Sequence, residues 1–277
     1  MRWWYVIPVL FFTFPAASQL LQGRIVDLAS GNALEYATIK VKGKNLGAVS
    51  YADGHFSLEI QGLSGTDTLR VSYIGYGDVL LAIGTLDVSK SNIIKMRPVA
   101  KILKEVRVSA AVQTIKLGST KSGGTYTGWG DFKSLRGRTI GALMDGAECP
   151  VKAKSFSFRI NHNDWDSVRF RLIFYDVKGG QPDSSILQQN IFVTTSLKHK
   201  WVTVELKQHN LILCGQVIAT LEWVDAWGST GEHSNMLTLS NAKNGGFTFR
   251  QDPGEERARY SPERYIPAMH IEVYAGP

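Results

Sequence analysis

Cysteine, long apolar runs and helical periodicity are all scarce in this sequence. Only Cys149 and Cys214 occur among 277 residues, too few for a disulfide-framed miniprotein and too few for a cysteine-built zinc site. The six histidines (His55, His162, His199, His209, His233 and His270) include no H-x-x-E or H-E-x-x-H, so a zinc-peptidase ligand set is missing as a motif. Neither a G-x-S-x-G elbow nor a G-x-x-x-x-G-K-[ST] loop is present, and no cofactor is expected. The formal charge of +7 is dispersed, with 31 Lys and Arg interleaved among 24 Asp and Glu. A nucleic-acid binder needs a basic stripe, so no nucleic-acid partner is expected.

One apolar run does stand out. Met1-Arg2 leads into Trp3 to Phe14, followed by Pro15 and the small residues Ala16-Ala17-Ser18. That layout predicts a signal peptide over residues 1–18, cleaved before Gln19. The run falls short of the roughly 20 residues that cross a bilayer, and no later stretch reaches that length, so the mature chain is expected to lack a transmembrane segment. It is expected to be exported: periplasmic, outer-membrane-associated or secreted. No Cys follows the run, which argues against a lipid anchor.

From Gln19 the pattern is that of short strands. Phe56, Leu58 and Ile60 fall on one face of a strand, and Leu69, Val71 and Tyr73 on one face of another, because side chains alternate along extended backbone. Ala52-Asp53-Gly54 supplies the turn before them, with Gly tolerating positive φ. Leu21 to Asp27, Ala37 to Val41, Asn92 to Met96 and Glu105 to Val108 add further strands, so residues 19–110 are expected to form an antiparallel β-sandwich. The order Gly23, Val26, Asp27, Leu34, Ala37, Ile39, Val41, Gly47, Ser50, Asp53-Gly54, Phe56, Leu58, Leu69, Val71, Tyr73 and Gly75-Tyr76 resembles the carboxypeptidase-regulatory-like domain. The resemblance implies a transthyretin-like, Ig-like sandwich of the kind found in exported Bacteroidetes proteins and ahead of TonB-dependent transporters. Tyr51 departs from the pattern, which often carries Asp there. Leu103 to Val108 resembles the segment before a transporter plug, but the residues beyond it cannot supply a large outer-membrane barrel.

Residues 111–131 are rich in Gly, Ser, Thr and Lys and read as an exposed linker. Over residues 132–277 the alternation resumes: Phe156, Phe158, Ile160; Val168, Phe170, Leu172, Phe174; Val202, Val204; Val217, Ala219, Leu221, Trp223; Met269, Ile271, Val273. Eight or nine such strands predict a jelly-roll-like second sandwich, making the chain all-β. Its strands also resemble, more weakly, a domain of uncharacterised exported proteins, which implies no activity.

Candidate site residues are few, and each has two readings. Arg169 and Arg171 share a strand face, with Glu205 and Glu222 at outward positions; they either hold an anionic or sugar ligand or form cross-strand pairs on a solvated face. Trp129, Trp165 and Trp227 lie in polar or Gly-containing loops, with Asp164 and Asp166 beside Trp165 and Asp225 beside Trp227; they are either a sugar-stacking platform or rings that cap the sandwich. Asp164, Asp166 and Glu222 make a glycosidase pair only if two of them stand about 5–10 Å apart. Cys149 and Cys214 form a disulfide or stay as buried thiols.

The expectation is therefore a non-enzymatic envelope protein that binds or assembles, with a polysaccharide or an envelope protein as partner. A carbohydrate-active enzyme and an accessory to a TonB-dependent transporter are the alternatives.

Overall fold

The computed structural model describes residues 19–99, 113–129, 136–229, 236–243, 245–255 and 257–275. The signal-peptide residues and the strand expected over Glu105 to Val108 lie outside them.

The first domain contains β1 (Leu20–Asp27), β2 (Thr38–Val41), β3 (Gly47–Val49), β4 (His55–Glu59), β5 (Thr68–Ser72), β6 (Val79–Ala82) and β7 (Asn92–Met96). They form two sheets, β4-β1-β7 and β3-β2-β5-β6. Alternation decides what they bury: Leu21, Ile25, Phe56, Leu58 and Ile94 face Ile39, Val41, Leu69 and Val71 in one core. Gly23 is required by that packing, since a Cβ there would stand 2.5 Å from the Phe56 ring and 2.6 Å from the Asn92 carbonyl oxygen. The Asp53-Gly54 turn forms as the composition dictates, with Gly54 at φ +80° and the Asp53 carboxylate accepting the His55 amide.

The second domain contains β8 (Thr114–Gly118), β9 (Tyr126–Gly128), β10 (Thr139–Asn163), β11 (Trp165–Lys178), β12 (Gln181–Ser185), β13 (Ile191–Thr195), β14 (Trp201–Glu205), β15 (Ile212–Ser229), β16 (Leu237–Ala242), β17 (Gly246–Gln251), β18 (Arg259–Glu263), β19 (Ile266–Pro267) and β20 (Met269–Tyr274). It is organised around three long strands rather than eight or nine short ones. β11 pairs β15 and β15 pairs β10, while β10 continues through register shifts near Met144 and Val151 to meet β14, β20 and finally β16. The alternating stretch around Phe156 is thus the later part of one bent strand that starts at Thr139. Its core is aromatic: Phe156 meets Phe174 edge-on at 5.6 Å, and Phe158 meets Phe170 at 5.5 Å. Cys149 and Cys214 are disulfide-bonded.

The linker expectation is corrected. β8 pairs β20 through Leu117 opposite Ile271, and β9 pairs β16 through Thr127 opposite Leu239. The second domain therefore begins by Thr114, inside the stretch assigned to a linker. Backbone hydrogen bonding to a sheet edge leaves little mark on composition, and Gly, Ser and Lys around Ile115 and Leu117 masked the alternation.

Glu272 on β20 fastens this edge. It accepts hydrogen bonds from Thr114 Oγ1 (2.7 Å), Lys154 Nζ (3.0 Å) and Ser155 Oγ (3.3 Å), and these partners, Thr114 first, pull its carboxyl down to about 2. An acid depressed on folding adds stability that is complete above its ordinary pKa of 4.5 and lost as pH falls toward about 2. Glu272→Gln should therefore flatten the fall in thermal midpoint between about pH 5 and about pH 2; an unchanged acid limb would contradict the β8–β20 tie.

Candidate functional site at the domain junction

The face of β11 expected to be solvated is instead pressed against the first domain, and this corrects the reading of Arg169 and Arg171 as surface charges. Arg171 is only 3% exposed and Glu222, its cross-strand neighbour on β15, 4%. The guanidinium holds the Glu222 carboxylate through Nε (2.7 Å) and Nη2 (2.5 Å), then reaches across the junction: Nη1 donates to the Tyr36 carbonyl (2.7 Å) and Nη2 to Thr38 Oγ1 (2.9 Å). A buried charge is tolerated only when paired and hydrogen-bonded, and here the second domain supplies the counter-charge while the first completes the donors.

Tyr36 is the first domain's counterpart. It is fully buried and sits at φ +58°, a left-handed conformation unusual for a bulky residue. That backbone turns its carbonyl to Arg171 while its hydroxyl donates to Asp225 Oδ2 at 2.9 Å. Burial, and then Asp225, push the Tyr36 hydroxyl up to about 12. Tyr36, Val49 and Val224 form a small apolar cluster against Phe192.

Arg136 closes the other side, donating to the carbonyls of Val224 (2.8 Å), Val49 (2.5 Å) and Ser50 (2.5 Å). Desolvation lowers its pKa. Its guanidinium lies 4.1 Å from the centre of the Tyr51 ring, so the residue that departs from the domain pattern serves as a cation–π platform for the neighbouring domain. Gly47 and Gly254 let the two backbones touch, since a Cβ on Gly47 would fall 2.7 Å from Gly254 Cα.

A cleft of about 530 Å³ opens beside this clamp, lined in part by Lys40, Arg70, Tyr73, Arg171, Tyr175 and Glu222. Burial raises the Tyr175 hydroxyl above its ordinary value. The cleft has the size of a small-ligand pocket and charges of both signs in its walls.

The other sequence candidates are dispersed. Trp129 is fully buried, 5.2 Å from Phe170 with its Nε1 donating to the Arg138 carbonyl, so it is core and not a ligand platform. Its loop-like neighbours hid that role. Trp165 is half-buried and edge-on to Trp223 at 6.0 Å. Asp164 accepts the Met236 amide (2.7 Å), which lowers its pKa, and pairs with His162. Arg169 and Trp227 do come together: the guanidinium stands 5.4 Å from the Trp227 ring, and also bonds the Tyr36 hydroxyl and pairs with Glu35. Glu222 is not brought to either aspartate: Arg171 faces it, and Asp166 lies five residues back along β11, roughly 16 Å at strand rise, beyond the range such a pair requires. Tyr36 and Arg136 escaped the sequence reading because nothing local marks them, whereas Asp225, read as a polar partner beside Trp227, instead accepts the Tyr36 hydroxyl.

Residues 21–108 match the family model of the CarboxypepD_reg-like domain, so the first sandwich carries that domain. No curated protein matches the chain. Among solved structures, it is similar to the cysteine protease and lectin-like domains of Cwp84, a surface layer associated protein of Clostridium difficile, at 9% identity and a TM-score of 0.35, covering 51% of this chain and 33% of that one. It is also similar to the infectious bursal disease virus VP2 subviral particle, at 10% identity and a TM-score of 0.26, covering 92% of this chain and 62% of that one. The chain thus spans a third of the first and less than two thirds of the second, and these scores carry no inference about function.

Removing Arg171 should expose what the clamp contributes. Arg171→Met leaves Glu222 buried and unpaired, at an expected loss of about 3–5 kcal/mol in urea unfolding, whereas the double change Arg171→Met with Glu222→Leu should lose markedly less. Equal losses in the two variants would show that the pair is not a buried, coupled unit.

Proposed function

We propose that this chain is a non-catalytic, exported cell-envelope protein that acts by binding or assembly, with the second domain facing the ligand or partner and the first serving as a docking module. The observation that carries this reading is the clamp itself. Arg171, Glu222, Tyr36 and Asp225 are occupied in holding two sandwiches together, which is what a rigid presenting scaffold needs. The CarboxypepD_reg-like domain over residues 21–108 supports a non-catalytic β-sandwich role for the first module. Export rests on the N-terminal run from Trp3 to Phe14, and the polysaccharide or envelope partner on the aromatic and charged composition of the second domain. Among the described residues, no helix is long and apolar enough to cross a membrane.

A specific observation favours an assembly role for the first domain. Among the described residues β6 and β7 end their sheets, and they carry the exposed apolar side chains Leu80 (57%) and Ile93 (67%). Unpaired edges of this kind accept a strand from a partner, which is what an accessory to a transporter would use.

Two measurements test the reading together. The purified mature chain, incubated with a panel of polysaccharides and peptides, should retain ligand without releasing reducing ends or new amino termini, and cross-linking in envelope fractions should capture a stable neighbour. Turnover of any substrate, or a cytoplasmic location, would overturn it.

A further inference from the structure

A second cleft, of about 420 Å³, lies on the second domain, lined in part by Arg138, Arg250, Arg259, Ser261, Glu263 and Tyr265. Strand alternation produces it. On β17, Thr248 and Arg250 share one face; on β18, Arg259, Ser261 and Glu263 share the matching face, with Thr248 opposite Ser261 and Arg250 opposite Arg259. The other face takes the aromatic rings, Phe249 stacking on Tyr175 and Phe247 on Tyr260.

Two arginines directly opposite each other on antiparallel strands repel, because their Cβ atoms stand only about 5 Å apart. Asp252 relieves part of this: its carboxylate takes Arg138 through one oxygen and Arg259 through the other, at 3.0 Å, and Glu255 stands 3.5 Å from Arg259. Arg250 bonds the Thr127 hydroxyl, and no carboxylate reaches it among the described residues. Among the described residues, the hairpin therefore keeps the Arg250 guanidinium without a carboxylate partner, beside Arg138 and Arg259, which Asp252 and Glu255 hold in place. An oxyanion with two adjacent oxygens, planar carboxylate or tetrahedral sulfate, matches that guanidinium fork in spacing and charge.

The rest of the lining narrows the ligand. Glu263 repels a compact multiply charged anion but accepts hydrogen bonds from hydroxyl groups, as Ser261 and Thr248 also do. Tyr265 adds an aromatic ring of the kind on which a sugar packs. Resting on the reading of the second domain as the ligand-facing module, we infer that this cleft binds an anionic saccharide, a sugar bearing carboxylate or sulfate, with Arg250 and Arg259 gripping the oxyanion and Glu263 and Ser261 the hydroxyls.

The test is titration calorimetry of the full mature chain with three hexasaccharides: oligogalacturonate, a heparin fragment and neutral maltohexaose. At least one anionic hexasaccharide should bind, more weakly as salt is raised, and maltohexaose should not. Arg250→Gln should weaken that binding about tenfold or more, and Arg259→Gln should do so independently, whereas Lys95→Gln on the first domain should leave it unchanged. Binding of oligogalacturonate shows that carboxylate suffices, whereas binding of the heparin fragment alone, which carries both groups, makes sulfate the required one. Absence of anionic binding, equal weakening by Lys95→Gln, or displacement of the sugar by equimolar inorganic sulfate each overturns the inference. Retention of maltohexaose, or sugar binding indifferent to both arginine variants, overturns it while leaving the binding-module reading standing, and cross-linking in envelope fractions tests that reading separately.

Discussion

The guanidinium of Arg171 is the point on which this architecture depends. A permanently charged group lies almost wholly out of water between two β-sandwiches, and it can remain there only because Glu222 neutralises it and the Tyr36 carbonyl and Thr38 hydroxyl take its remaining donors. Glu222 belongs to the second domain and Tyr36 and Thr38 to the first, so neither domain can move away without leaving a buried charge short of hydrogen bonds. Such a pair adds less to net stability than an apolar contact of equal size, but it permits few relative orientations.

Other features of the junction follow from that requirement. Tyr36 adopts its left-handed backbone at a position where its carbonyl meets Arg171 and its hydroxyl meets Asp225. Arg136 spans the apolar cluster and binds carbonyls of both domains. Two clefts then lie on either side of Asp252, which lines the junction cleft while its carboxylate holds Arg138 and Arg259 at the arginine-rich one. The clamp and the saccharide site proposed above are thus neighbours in the fold, and the rigidity of the first helps to preorganise the second.

The repeating features of the fold were legible in the sequence. Alternation of Phe56 and Leu58, or of Phe170 and Leu172, is a local signal that survives in any strand with one buried face. What composition concealed was long-range pairing. β8 and β9 sit on sheet edges within Gly- and Ser-rich sequence, and β10 runs through bulges that look like chain breaks. The site was less legible still. Arg169 and Arg171 stood out as a pair on one face, but whether that face meets water or another domain depends on residues more than a hundred positions away. Trp129 read as a loop ring because its neighbours are polar, although the ring itself fills the core. Tyr51 looked like an unexplained departure until its partner Arg136 was known.

The central claim is that the two sandwiches tumble as one body because Arg171 ties them together. Backbone nitrogen relaxation in solution reads this directly, since each domain's amides report a rotational correlation time. One shared value for the strands of both domains is predicted. Two distinct values, with the first domain tumbling faster, would contradict it.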